Sequence, residues 1–100
     1  MSIFKPKHTL DYDGQKYAYR AASDKGGIVE PADAYRAREM VTLYYSMVAT
    51  DTDYSFFLDG VRLYATYEEE RGYKLEFAMP DHDAKLICVE RNSMTAITRE

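Results

Sequence analysis

The stretch Tyr54–Met79 constrains the fold of this chain more than any other. It reads Tyr-Ser-Phe-Phe-Leu, Asp59-Gly60, Val-Arg-Leu-Tyr-Ala-Thr-Tyr, a charged Glu-Glu-Glu-Arg-Gly turn, then Tyr-Lys-Leu-Glu-Phe-Ala-Met. Alternating apolar runs separated by Asp-Gly and Arg-Gly turns are the signature of an antiparallel meander. With Asp59 and Gly60 as loop, Leu58 faces Val61, Phe56 faces Leu63 and Tyr54 faces Ala65. Gly72 in a left-handed conformation places Glu68 opposite Lys74 and Tyr67 opposite Leu75. One face then carries Tyr54, Phe56, Leu58, Val61, Leu63, Ala65, Tyr67, Leu75, Phe77 and Met79, and is expected to form the core. The other carries Arg62, Tyr64, Thr66, Glu68, Lys74 and Glu76, with Phe57 as its only large, fully apolar member.

The flanking patterns predict two further elements. His8–Arg20 reads as a β-hairpin turning on Asp13-Gly14, with Asp11 facing Lys16 and Leu10 facing Tyr17. Residues 1–7 read as an arm or edge strand, because Pro6 removes a ladder donor. From Glu30-Pro31 onward, Ala34, Ala37, Met40, Val41, Tyr44, Tyr45, Met47 and Val48 recur at helical spacing. Pro31 suits the first helical position, Asp33 complements the N-terminal dipole, and Thr50–Asp53 closes the segment. Lys85–Arg91 is apolar on both alternations, which predicts a more buried strand, and Met94–Thr98 reads as a short last strand or tail. Together these patterns predict one α+β domain over residues 1–100: a long helix packed on an antiparallel β-meander, preceded by an N-terminal β-hairpin.

A chain of 100 residues can build one hydrophobic core without disulfide or metal staples. Its single cysteine, Cys88, lies in the run Leu86-Ile87-Cys88-Val89, so a buried, unreactive thiol in a reducing compartment is expected. The N-terminal Met-Ser-Ile-Phe-Lys-Pro-Lys-His has no apolar core run, and no apolar stretch reaches bilayer-spanning length. A cytoplasmic location is the expectation. The formal net charge of −4, with acids gathered at turns after Asp51, disfavours direct nucleic-acid binding and suits a basic partner.

The residues with chemical potential do not assemble into a catalytic set. Asp81-His82-Asp83 offers metal-capable groups, but adjacent residues rarely converge on one ion and no distant Cys/His set completes them. His8 has no nucleophile that sequence places beside it. Asp24-Lys25-Gly26-Gly27 lacks phosphate-loop spacing, and Glu30 would repel an anion at the helix entrance. Lys16-Tyr17-Ala18-Tyr19-Arg20 interleaves cations with rings but points them to opposite faces, unlike a stacking platform. No catalytic residue, cofactor or metal ligand is assigned.

Ten tyrosines and no tryptophan is the unusual feature, since tyrosine is enriched at protein interfaces. Tyr44, Tyr54 and Tyr67 are expected in the core, whereas Tyr35 and Tyr64 are harder to bury. The expectation is a small, acidic, non-enzymatic binding domain, an inhibitor or adaptor of the phage or mobile-element anti-defence (anti-CRISPR) type. It would occupy a basic surface of a nucleic-acid-handling protein or complex through Arg62, Tyr64, Thr66, Glu68, Glu69, Glu70, Lys74 and Glu76. The alternatives are a small-molecule-binding domain or minor enzyme with a tyrosine-lined pocket and His8, a homo-oligomer pairing sheets through Tyr64 and Phe57, or a toxin-immunity protein.

Overall fold

The computed structural model describes residues 6–23 and 26–92. Its strands are β1 (Lys7–Asp11), β2 (Tyr19–Ala22), β3 (Ile28–Val29), β4 (Ala34–Arg36) and β5 (Met40–Tyr45), then β6 (Thr52–Leu58), β7 (Val61–Leu63), β8 (Thr66–Glu68), β9 (Gly72–Ala78) and β10 (Ala84–Asn92). They form two five-stranded sheets, β4-β1-β10-β6-β7 (sheet one) and β3-β2-β5-β9-β8 (sheet two). Leu10, Phe56, Leu58, Leu86 and Cys88 of sheet one meet Tyr19, Val41, Leu43, Tyr45, Leu75 and Phe77 of sheet two in a single core. The architecture is a β-sandwich.

The Asp59-Gly60 hairpin has the expected register at Leu58–Val61 and Phe56–Leu63. The expected Tyr54–Ala65 pair does not form, because β7 ends at Leu63, and Val61, expected in the core, is exposed at the sheet edge. Both turn residues have positive φ, 51° and 83°, as a type I′ turn requires. The β8–β9 hairpin differs by two residues from expectation, pairing Thr66 with Lys74, Tyr67 with Tyr73 and Glu68 with Gly72. Glu69-Glu70-Arg71 supplies the turn, closed by Arg71 N–H donating to the Glu68 carbonyl at 3.1 Å. The two hairpins also lie in different sheets, because the chain crosses from β7 to β8 at residues 64–65.

The α+β expectation is overturned. Among the described residues the only helical segment is a 3₁₀ turn, Lys16–Ala18. The segment expected as a long helix forms β4 and β5, because Val41, Leu43 and Tyr45 alternate into the core and are almost wholly buried. Met40 and Met47, which a helix would have buried, are more than half exposed. Arg38 takes a φ of 67°, which no helix accommodates, and its N–H donates to the Met79 carbonyl at 2.7 Å.

The N-terminal hairpin is also corrected. Asp13 and Gly14 do turn, with φ of 58° and 76°, but the strands beside them never pair. Strand β1 runs parallel to β10 and antiparallel to β4, while the 3₁₀ turn carries β2 into sheet two. The Asp11 carboxylate accepts from Asp13 N–H instead of meeting Lys16, and Lys16 pairs with Asp33 at 2.7 Å. Strand β10 is central in sheet one, and Leu86 and Cys88 face the core. Its other alternation, Ile87 and Val89, faces outward. The expected strand Met94–Thr98 and most of the N-terminal arm lie outside the described residues.

Sheet edges are protected by chain crossings. The edge strands β3 and β4 are joined by residues 30–33, and the edge strands β7 and β8 by residues 64–65, so each lateral side of the sandwich is bridged. Gly72 is required where β9 begins: its φ is 95°, and a Cβ there would collide with the Tyr45 carbonyl. Gly60 has a similar φ but open space around it. Gly72→Ala is therefore expected to lower unfolding free energy by more than about 2 kcal/mol, and Gly60→Ala by about 1 kcal/mol. Urea midpoints of the two variants test this ordering.

Candidate functional site

The tyrosines divide into a structural set and an exposed set. Rings stack through the interior from Tyr12 to Tyr19 (5.4 Å), Tyr45 (5.2 Å), Tyr54 (5.3 Å), Tyr73 (5.7 Å) and Tyr67 (5.2 Å), with Phe56 beside Tyr45 at 5.3 Å. Several hydroxyls then bind crossing segments. Tyr12 donates to the Ala32 carbonyl at 2.7 Å, Tyr35 accepts from Ala32 N–H at 3.1 Å, and Tyr54 accepts from Ala49 N–H at 2.7 Å. Tyr44 is buried on the outer face of sheet two, beneath Arg71, which lies 5.2 Å from its ring and donates to its hydroxyl at 3.1 Å. Of the expected core tyrosines, Tyr44 is buried and Tyr54 half-buried, but Tyr67 is more than half exposed.

The residues expected to bind a partner do not share one sheet face. Arg62 lies on the outer face of sheet one, opposite Phe57, and Tyr64 begins the crossing to sheet two. The Arg62 guanidinium sits 5.9 Å from the Phe57 ring and 5.2 Å from the Tyr64 ring. Thr66, Lys74 and Glu76 belong to sheet two, where Lys74 and Glu76 approach to 3.8 Å. Glu68 ends β8, and Glu69 and Glu70 form the exposed turn beyond it. What unites Arg62, Tyr64, Thr66 and Glu68–Glu70 is the lateral rim at residues 61–70, where β7 passes to β8.

Sequence reasoning missed two members of the outer face of sheet one. Ile87 pairs with Phe57 in register, and Val89, nearly half exposed, pairs with Ser55. The signal is the double apolar alternation of β10, which on its own predicts burial on both sides. One alternation instead faces out beside Phe57, Arg62 and Tyr64.

The remaining candidates have structural surroundings. His8 Nε2 lies 3.0 Å from an Asp81 carboxylate oxygen, and Asp83 accepts from Thr9 N–H at 2.7 Å. These contacts hold β1 to the β9–β10 crossing. Asp59 accepts from Lys85 N–H at 2.9 Å and lies 3.7 Å from His82. Among the described residues no group of three His, Cys, Asp or Glu side chains is placed to hold a metal ion. Tyr17 is exposed and Tyr19 buried, which divides the Lys16–Arg20 run. Asp24 and Lys25 lie outside the described residues. An open groove of about 620 Å³ is lined by Lys16, Tyr17, Arg20, Ile28, Val29 and Glu30, and His8 is not part of it.

Burial dominates the electrostatics of the interior. Burial pushes the Cys88 thiol up to about 11; the Tyr45 hydroxyl opposes the shift and Glu90 adds to it. Burial likewise raises the phenols of Tyr12, Tyr19 and Tyr45 well above their ordinary range. A thiol held protonated at neutral pH is a poor nucleophile. Comparison of the chain with family models, curated proteins and solved structures returned no match.

Two stability outcomes follow from these environments. The unfolded chain deprotonates its thiol near pH 8.5 and its phenols near 10. The folded chain holds those protons to higher pH, so stability is fully present below about pH 8 and falls as pH rises beyond it. Urea midpoints across pH 7–10 should decline monotonically, and a flat profile would contradict the assigned burial. Among the described residues, the Tyr19 hydroxyl is buried without a hydrogen-bond partner. Tyr19→Phe is therefore expected to leave the midpoint unchanged or raise it, whereas Tyr12→Phe, which loses the Ala32 contact, should cost about 1 kcal/mol.

Proposed function

We propose that the chain is a non-enzymatic, cytoplasmic protein-binding module that engages a basic partner surface through the 61–70 rim. The observation that carries this reading is the exposure of large side chains along that rim: Val61 at 67 %, Tyr64 at 84 % and Tyr67 at 54 %, running directly into Glu68–Glu70. Large exposed side chains gathered along one rim, with tyrosine among them, have the composition of a contact surface. Adjacent carboxylates steer encounter with a cationic partner, and the net charge of −4 reinforces them. A basic groove on a nucleic-acid-handling protein fits that description, which is consistent with an inhibitor or adaptor role. Among the described residues no helix is long and apolar enough to cross a membrane.

The test places a photoreactive phenylalanine at position 64, and separately at the exposed position 40 on sheet two, in lysate of the native host. Position 64 should yield a discrete protein adduct that position 40 does not. Glu68→Lys, Glu69→Lys and Glu70→Lys together should reduce its yield at least about tenfold, as should raising salt well above physiological strength. Equal adducts from both positions, or a yield indifferent to the three reversals, would remove the rim from the binding role.

A further inference from the structure

The rim ends in the acidic turn Glu68–Glu70; the outer face of sheet one, to which Arg62 at the other end of the rim belongs, has the opposite charge. Ile87 and Phe57 pair across that face, Val89 lies beside them, and Arg62 spans the Phe57 and Tyr64 rings. In register, Lys7, Arg36, Lys85 and Arg91 point to the same side, against Asp11 and Asp53, and Lys85 is already paired with Asp13 at 3.5 Å. The face of an acidic protein therefore carries an excess of positive charge around an apolar centre. Among the described residues neither Arg62 nor Arg91 has a carboxylate within ion-pair distance, and neither do Glu68, Glu69 and Glu70 have a cation. Each patch holds unspent charge of the sign the other lacks.

We propose that a second copy of this chain docks its β8–β9 tip, Tyr67–Glu70, on the outer face of sheet one. This rests on the rim being the binding element and names one basic partner surface as the chain's own. Tyr67 supplies apolar area for the Ile87–Phe57–Val89 centre, and the glutamates meet Arg62 and Arg91. An apolar centre containing aromatics and arginine, surrounded by charge, is the composition of a protein contact. A nucleic-acid ligand is disfavoured on this face, because its centre is apolar and the chain as a whole carries a net charge of −4. The tip belongs to sheet two and the face to sheet one, so the contact joins two different patches rather than one patch to itself.

Sedimentation and light scattering on the full chain test the contact without any added ligand. The native chain should rise above its 11.6 kDa monomer mass with concentration and return to it at high salt. A face variant (Arg62→Glu with Arg91→Glu) and a tip variant (Glu68→Lys, Glu69→Lys and Glu70→Lys) should each stay monomeric with native circular dichroism. Mixed in equal amounts, they should associate again, to at least about twice the 11.6 kDa monomer mass, because a native tip then meets a native face and the reversed tip meets the reversed face. A native chain that remains monomeric up to about 1 mM overturns the proposal, while a surviving adduct from position 64 would leave the rim's role intact. Association lost in the face variant but kept in the tip variant, or a mixture that stays monomeric, overturns it as well.

Discussion

Tyr45 is the contact on which the two sheets depend. Its ring, on β5 of sheet two, lies within about 5.3 Å of Tyr19 on its own sheet and of Tyr54 and Phe56 on sheet one. The inclined and edge-on geometries are those aromatic quadrupoles favour, each adding about 0.5–1.5 kcal/mol beyond area burial. The hydroxyl reaches the boundary and donates to Glu90 at 3.1 Å, so the ring is buried without stranding its polar end. Tryptophan would overfill this position, and phenylalanine would leave the Glu90 carboxylate short of a donor. Gly72 completes the arrangement: it is the residue that lets β9 start against the Tyr45 carbonyl.

The same division of labour recurs at the crossings. A sandwich that changes sheet so often has many connecting segments whose backbone groups need partners. Tyr12 and Tyr35 hold the 30–33 crossing at Ala32, and Tyr54 holds the crossing after β5 at Ala49. Arg71 bends back over Tyr44 and fixes the β8–β9 turn. An abundance of tyrosine in a chain this short is thus largely architectural: a flat apolar body fills the space between sheets and a hydroxyl ties down a loop.

How much of this was legible depended on whether the deciding information was local. The Asp59-Gly60 hairpin was read correctly because a type I′ turn fixes its neighbours' register through a few adjacent residues. Residues 34–48 were misread because their apolar positions satisfy a helical period almost as well as a strand period. Leu43 is the discriminating residue: it falls outside the helical stripe, yet it is wholly buried beside Val41 and Tyr45. Residues two apart lie on nearly opposite sides of a helix but on the same side of a strand. At Asp13-Gly14 the turn was right and its consequence wrong, because pairing of β1 with β10 spans most of the chain. The candidate site was legible residue by residue at Arg62, Tyr64 and Glu68–Glu70. Its shape was not, because the change of sheet at residues 64–65 is set by tertiary packing.

That architectural demand sharpens where function can reside. Tyr12, Tyr19, Tyr44 and Tyr45 are buried, and Tyr35, Tyr54 and Tyr73 are half-buried in stacking or tethering roles. Tyrosine content as a sign of an interface therefore fails for most of the set. It survives at Tyr17, Tyr64 and Tyr67, the three that remain more than half exposed. Tyr17 lies beside Lys16, whose charge is already met by Asp33 at 2.7 Å. Tyr64, on the 64–65 crossing, and Tyr67, on β8, lie on the rim that runs into Glu68–Glu70, three carboxylates without cationic partners among the described residues. Among the described residues, exposed rings and carboxylates without an ion-pair partner coincide along the rim, whereas Arg20, beside Tyr17, donates its guanidinium to the Tyr17 and Tyr19 carbonyls.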